Sequence, residues 1–167
     1  MKNNIIKTVI IVFAVLALII LGVQYLEYRM QSEALVTTTS ERKVVDFVDG
    51  SSVELAPRST IKYANYFNKK GRFVELVKGS GSFTIVEEKG RFRIKTEREI
   101  ITVLDSETST VFDTNFGESQ TTIKVKEGRV NVRQNATKQG QIDVKSMKIV
   151  AGETVISTKG NLEKILE

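Results

Sequence analysis

A run of residues near the N-terminus, 8–23, contains no charged side chain and reads TVIIVFAVLALIILGV. About 20 apolar residues in a helix suffice to cross the ~30 Å hydrocarbon core of a bilayer, and Lys7 can extend its ammonium group toward the headgroups. Tyr25 and Tyr28 follow the run, where interfacial aromatic residues are typical. The sequence therefore predicts a short tail and one transmembrane helix within residues 1–26.

Two other interpretations of this run stay open. A cleaved signal peptide would also begin with basic residues, here Lys2 and Lys7, but the sequence VQYLEY that ends the run offers no small-x-small cleavage site. A helix buried in a soluble domain would have little to pack against, because this run is apolar on all faces. Two basic residues, Lys2 and Lys7, precede the helix, whereas Arg29 after it lies close to Glu27. This difference favours a cytoplasmic N-terminus and an extracytoplasmic remainder.

Absent residue types exclude several kinds of function. The 167 residues include no Cys and no His, so disulfides, thiolate nucleophiles and His-ligated metals are excluded. Asp46, Asp49 and Glu54, like Glu87 and Glu88, could converge, but carboxylates that flank strand turns are usually solvated, and no partner base is identifiable. We therefore predict a protein that is not an enzyme and has no cofactor, metal site or catalytic residue.

The charge of the chain is mildly basic, with a formal net charge of +5. Lys69, Lys70 and Arg72 share one predicted loop, which is expected to be solvated, although it could also touch an acidic partner or anionic lipid. Aromatic residues are not interleaved with these basic residues as base stacking would require, so we predict no nucleic-acid partner.

From Lys43 onward, short β-type runs alternate with turn signals at intervals of roughly 8 to 12 residues, which is typical of an all-β domain. Apolar and charged residues alternate in FRIK, IKVK and VNVR, so one face of each strand is predicted to be buried. We predict short, mostly antiparallel strands in a two-sheet sandwich or a solenoid-like stack over residues 43–160. Residues 27–42 are predicted to be a juxtamembrane helix and linker, and the C-terminal tail 161–167 either a short helix or a last strand.

Two segments of the predicted domain share a loose form. Residues 74–83 and 125–130 both place a Gly after an alternating run, at Gly79 and Gly128. The shared form predicts equivalent hairpins in stacked layers, although no fixed period runs through the chain.

An ordered set of residues also runs through the domain: an Asp-Gly-Ser turn, alternating strands, a Ser before an apolar-x-Tyr, an Arg-led strand and a Gly before a Phe. Its members are Asp49, Gly50, Ser51, Val53, Leu55, Ser59, Tyr63, Phe67, Arg72, Val74, Leu76, Gly79, Phe83, Phe92, Gly128, Val130, Gly152 and Glu153. This order resembles the FecR domain, found in single-pass proteins that relay envelope signals to sigma factors, over about residues 40–157. We interpret these residues as determinants of the fold and not as a chemical site. After Val103-Leu104 the sequence DSETST replaces the Gly-Thr of the family pattern, so the local turn is expected to differ.

The resemblance implies a function. It implies a signalling or regulatory module in the periplasm, anchored in a bacterial inner membrane, that binds a protein partner in the envelope. About seven residues, MKNNIIK, precede the apolar run, so we expect the usual sigma-binding cytoplasmic region to be missing. We also expect no further periplasmic domain, since the sequence stops before one could fit. A structural or transport-assembly component of the cell envelope is the alternative interpretation.

Overall fold

The protein is described by a computed structural model. The residues described are 2–30, 33–64, 72–87, 90–104, 108–135, 145–159 and 161–166, and side chains of the first segment are described over 11–25. The chain forms two compact units, Met1–Ser32 and Glu33–Glu167.

The first unit contains one helix, α1, which runs from Lys2 to Met30. Its Leu, Ile, Val and Ala residues carry no polar side-chain group that would compete with the helical backbone hydrogen bonds. The apolar side chains described over 11–25 are largely exposed in this unit, Phe13 and Leu18 among them. Among the residues that the structure describes, no helix is long and apolar enough to cross a membrane. The transmembrane helix therefore stays a prediction.

The second unit is built from β-strands, in keeping with its many Val, Ile and Thr residues, whose branched side chains favour a pleated sheet. Its described residues form thirteen strands. They are β1 (Glu33–Thr37), β2 (Lys43–Asp46), β3 (Ser52–Leu55), β4 (Thr60–Ala64), β5 (Arg72–Ile85), β6 (Phe92–Lys95), β7 (Glu99–Val103), β8 (Thr110–Phe116), β9 (Gln120–Glu127), β10 (Arg129–Gln134), β11 (Ser146–Val150), β12 (Glu153–Thr158) and β13 (Asn161–Leu166).

The long strand β5 joins two groups of strands. Its first half pairs with β4 and β6, and its second half pairs with β3 and β8. The first strand group contains β1, β4, the first half of β5, β6, β7, β10 and β11. The second strand group contains β2, β3, the second half of β5, β8, β9, β12 and β13. Through β5 the strands form one nearly closed, barrel-like sheet.

One strand pair among the described residues is parallel, with Arg72–Glu75 of β5 beside Phe92–Lys95 of β6. Parallel neighbours need a long crossover connection, which here consists of the rest of β5 and the residues after it. The other pairs are antiparallel, so the predicted all-β unit of mostly antiparallel strands is confirmed. The sheet is continuous through β5, whereas the sequence predicted a two-sheet sandwich or a solenoid-like stack.

The chain alternates between the two strand groups. The antiparallel pairs β6–β7 and β10–β11 lie in the first group, and β8–β9 and β12–β13 lie in the second. Gly128 connects β9 of the second group to β10 of the first, and these two strands pair with other partners. The hairpin predicted at Gly128 is therefore wrong. The hairpin predicted at Gly79 is also wrong, because Gly79 lies inside β5 where that strand passes between the groups.

One hydrophobic core takes side chains from both strand groups. In β6, for example, Phe92 and Ile94 are buried while Arg93 between them is exposed, which is the period-2 alternation predicted from the sequence. The buried apolar residues are Val45, Phe47, Val53, Leu55, Ile61, Val74, Leu76, Phe83, Ile85, Phe92, Ile94, Ile101, Phe112, Ile123, Val125, Val130, Val132, Ile149, Val155 and Leu162.

The ends of the β unit differ from the boundaries predicted from the sequence. Strand β1 lies inside residues 27–42, for which we predicted a helix and linker, and it pairs antiparallel with β4. The sequence EALVT contains good helix formers, so pairing with β4, not local propensity, determines its conformation. At the other end, the tail 161–167 contains β13, which pairs with β12. Of the two predicted conformations, a short helix or a last strand, the structure therefore has the strand.

Candidate functional site

A buried ion pair joins two parts of the chain that the sequence motif had marked. Arg72, at the start of β5, donates from Nη1 to Asp49 Oδ2 at 2.7 Å, and the two side chains are 7% and 3% exposed. Arg72 also donates to two backbone carbonyls, from Nη1 to Val86 at 3.2 Å and from Nη2 to Gly90 at 3.0 Å. A buried charge pair is stable only when such additional hydrogen bonds compensate its desolvation. Here they tie two loops, the β2–β3 turn and the connection between β5 and β6, to one guanidinium.

The turn between β2 and β3 holds the Asp49 carboxylate in place. Oδ1 of Asp49 accepts from the Ser51 amide at 3.0 Å, and Oδ2 accepts from the Ser51 hydroxyl at 3.0 Å. Gly50 has φ +81°, the left-handed conformation that glycine adopts without steric cost. The Ser51 hydroxyl accepts in turn from the Val86 amide at 3.1 Å. The Asp-Gly-Ser sequence thus orients one carboxylate toward Arg72.

Aromatic rings cover the same ion pair. The Arg72 guanidinium lies 5.4 Å from the centroid of the Phe92 ring, within range for a cation–π interaction. Phe47 packs against Phe92 with centroids 5.9 Å apart, and edge-on against Tyr63 at 5.1 Å. Phe92 therefore packs against the Arg72 side of the pair and connects it, through Phe47, to the core.

A second motif contact lies where β5 passes between the strand groups. The Ser59 hydroxyl donates to the Ser80 carbonyl at 3.0 Å and accepts from the Ser80 amide at 2.9 Å. Gly79 has φ +85°, and a Cβ atom added there would lie 2.7 Å from the Ser59 Cα atom. Only glycine fits this approach, so the Ser59 and Gly79 positions of the motif are sterically coupled.

Gly128 has an equivalent environment at the crossing between β9 and β10. Its φ is +74°, and an added Cβ would lie 3.0 Å from the Cα atom of Thr110. Each of these two glycines therefore allows close backbone approach where the chain changes strand group.

Glu153 closes the turn between β11 and β12. One of its carboxylate oxygens accepts from the Val150 amide at 2.9 Å, and the other forms an ion pair with Lys164 of β13. The hydrogen bond to Lys164, followed by that to the Val150 amide, lowers the pKa of Glu153 from its usual value. Gly152 beside it has φ +85° with no atom within 4 Å of an added Cβ.

The other motif residues are core residues. They are Val53, Leu55, Val74, Leu76, Phe83 and Val130, all with no exposed surface. Phe67 lies outside the described residues. The described motif residues thus lie in turns, at close approaches and in the core, and their interpretation as determinants of the fold stays a prediction.

The carboxylates considered for catalysis do not converge on one site. Asp49 binds Arg72, and Glu54 forms an exposed ion pair with Arg42 at 2.9 Å; Glu88 lies outside the described residues. Glu99, which the sequence did not mark, is fully buried and accepts from the Thr96 hydroxyl at 2.5 Å. Within the described ranges, no group of three or more acidic residues is arranged to hold a metal ion.

A groove of about 650 Å³ lies on the outer face of the first strand group, and we call it the basic groove. It crosses β5, β6, β7, β10 and β11, and its lining among the described residues includes four basic residues and no acidic one. The residues that line it are Phe73, Arg91, Arg93, Ile100, Thr102, Val103, Leu104, Asn131, Arg133, Ser146 and Lys148. It combines positive charge with apolar surface, since Phe73 is 41% exposed.

The outer face of the second strand group differs in charge. A shallower depression there contains basic and acidic residues together, and two ion pairs neutralise most of them. Arg42 pairs with Glu54, and Lys126 pairs with Asp113 at 2.8 Å. The two outer faces are thus electrostatically distinct, and the basic groove is the candidate site for a charged partner.

The sequence contained part of the signal for this groove. Basic residues alternate with buried ones along β6 and just before it, at Arg91, Arg93 and Lys95, and Arg133 occupies an outward position of β10. Alternation predicts that each side chain faces outward, but not that these strands are neighbours. The groove was missed because it depends on the strand order, which no local pattern specifies.

The FecR protein family model matches residues 33–131 of the chain. The chain belongs to the FecR family. The FecR match begins at the first residue of β1 and includes the Asp49–Arg72 pair and the Ser59–Gly79 contact. The family resemblance found in the sequence is therefore confirmed. No curated protein matches the chain significantly.

Two solved structures resemble this FecR protein. A 2.50 Å crystal structure of a "putative anti-sigma factor" from Parabacteroides distasonis ATCC 8503 gives a TM-score of 0.68 at 20% sequence identity, covering 81% of this chain and 61% of that chain. A 1.65 Å crystal structure, described in the same words and from the same organism, gives 0.67 at 21% identity, covering 80% and 60%. At these identities the likeness shows the fold alone. The chain spans about three fifths of the length of either solved chain.

The FecR match and the basic groove overlap only in part. The match includes β5, β6 and β7 but ends at residue 131, inside β10. Lys148 and Ser146, which form the far side of the groove on β11, lie beyond it. The charge of that side therefore lies outside the matched range.

Proposed function

We propose that this FecR protein is a membrane-anchored, periplasmic regulator in signal transduction, which acts by binding a protein partner and not by catalysis. The observation that carries the proposal is the FecR match over residues 33–131. The fold shared with two solved chains, each described as a "putative anti-sigma factor", supports a regulatory role. The scattered positions of the described carboxylates support a binding function over an enzymatic one.

The proposed anchor is α1. Its residues 8–23 carry no charge, and 29 helical residues measure about 44 Å, which exceeds the ~30 Å core of a bilayer. Lys2 and Lys7 precede this run, so the positive-inside tendency favours a cytoplasmic N-terminus in the bacterial inner membrane. An anchor would confine the β unit to the membrane surface and raise its effective concentration toward partners there.

The absence of cysteine from the sequence makes the proposed topology directly testable. Single variants Asn3→Cys and Lys159→Cys of the full chain would be treated with a membrane-impermeant maleimide in cells with a permeabilised outer membrane. We expect labelling at Lys159→Cys in intact cells and at Asn3→Cys only after lysis, and retention of both in carbonate-washed membranes. Release of the chain by carbonate, or the reverse labelling pattern, would contradict the proposed anchor or its orientation.

The regulatory role is tested by crosslinking the full chain in cells at its native level and identifying the captured proteins by mass spectrometry. We expect capture of a sigma-factor regulator or an outer-membrane receptor. Capture of transporter or envelope-assembly subunits in their place would replace the proposal with a structural role. A turnover activity of the purified chain would contradict the non-catalytic part.

A further inference from the structure

The basic groove contains an ordered row of side chains that crosses its strands. The registers of neighbouring strands align Phe73 of β5 with Arg93 of β6, Arg93 with Thr102 of β7, Thr102 with Asn131 of β10, and Asn131 with Lys148 of β11. Five strands at a spacing of about 4.8 Å make this row about 19 Å long. That length corresponds to roughly six residues of an extended peptide.

Three basic side chains of the basic groove form no ion pair within the described part of the chain. Arg93, Arg133 and Lys148 are exposed, and among the described residues no carboxylate forms a salt bridge with any of them. Lys95, on the same face, pairs with Glu75 at 3.5 Å. Like charges at this density repel one another, and an anionic ligand would remove that repulsion.

Apolar groups alternate with the charges. Phe73 is 41% exposed at one end of the row, and in the neighbouring row Ile100 lies between Lys95 and Arg133. Thr102 and Asn131 in the middle supply a hydroxyl and an amide for hydrogen bonds. Arg and aromatic residues together are typical of the sites that dominate the energy of protein interfaces.

We infer that the basic groove binds an extended acidic segment of the partner protein, about six residues long, with carboxylates facing Arg93, Arg133 and Lys148 and an apolar residue against Phe73. This inference rests on the proposed function and specifies the chemistry of its partner. A single-stranded nucleic acid would need several stacking aromatics, and the described lining of the groove has one. The mixture of apolar and basic residues fits a peptide with both kinds of side chain.

The test uses a photo-reactive amino acid, p-benzoylphenylalanine, incorporated in the full chain in cells. It would replace Thr102 in the groove, or Thr122 on the outer face of the second strand group. We expect a protein adduct from the Thr102 position whose crosslinked peptide contains at least two Asp or Glu residues. We expect a lower yield, or none, from the Thr122 position.

Charge-reversal variants complete the test. Arg93→Glu combined with Arg133→Glu should lower the yield of the Thr102 adduct about tenfold or more, because like charges across an interface are strongly unfavourable. Lys43→Glu combined with Lys159→Glu changes the net charge equally at exposed positions outside the groove and should leave the yield unchanged. Circular dichroism would confirm that both variants fold.

Three results would overturn the inference: no protein adduct at Thr102, an adduct with phospholipid, or an adduct that persists in Arg93→Glu/Arg133→Glu. A partner captured only from the Thr122 position would contradict binding at the basic groove, but it would leave the proposed regulatory function intact. If crosslinking of the full chain without the photo-reactive residue captures neither a sigma-factor regulator nor an outer-membrane receptor, the proposed function fails, whatever the result at the basic groove.

Discussion

Replacing Asp49 with alanine is expected to lower the free energy of unfolding by about 3–5 kcal/mol, because it leaves the Arg72 guanidinium buried without its counter-ion. Ser51 also loses the carboxylate that accepts from its amide and hydroxyl. Urea unfolding of the full chain in a mild detergent, followed by the circular dichroism of the β-sheet, measures the effect.

An exposed ion pair of the same kind provides the control. Arg42 and Glu54 are 2.9 Å apart, close to the 2.7 Å of the buried pair, but their side chains are 74% and 44% exposed. Glu54→Ala should therefore cost only about 0–1 kcal/mol. Arg72→Met added to Asp49→Ala should restore part of the lost stability, since it removes the uncompensated charge. Equal losses for Asp49→Ala and Glu54→Ala would show that burial of the Asp49–Arg72 pair has no energetic consequence.

This ion pair shows what the sequence could and could not predict. Asp49 and Arg72 both belong to the motif that identified the family, and the strand alternation around Phe92 predicted which residues are buried. The pairing itself spans 23 residues and depends on β5 running parallel to β6. Short strands joined by Gly-containing turns usually pair antiparallel, so no local pattern indicated this arrangement.

The strand order limited the prediction of the candidate site in the same way. Outward positions such as Arg93 and Arg133 follow from period-2 alternation, but their meeting on one face requires β7 to pair with both β6 and β10. Gly128 shows the same limit at a turn. A glycine with positive φ marks a change of chain direction, yet it does not specify whether the next strand returns beside the last one or crosses to another group.

The second large effect is expected at Gly79. Gly79→Ala should lower the free energy of unfolding by about 2–4 kcal/mol, because the new Cβ would both strain a backbone at φ +85° and overlap the Ser59 backbone, with 2.7 Å to its Cα atom. Relief of that overlap requires β5 to move away from Ser59, which would break the hydrogen bonds between the Ser59 hydroxyl and Ser80. The same urea unfolding experiment measures the loss.

Gly152 separates the two causes, since it has the same φ of +85° but no atom within 4 Å of an added Cβ. Gly152→Ala should cost only the backbone strain, about 1–2 kcal/mol. The difference between the two variants then measures the steric coupling of Gly79 to Ser59. If Gly79→Ala and Gly152→Ala destabilise the chain equally, glycine is needed at position 79 for its backbone conformation alone. The close approach between β5 and Ser59 would then not add to the requirement for glycine.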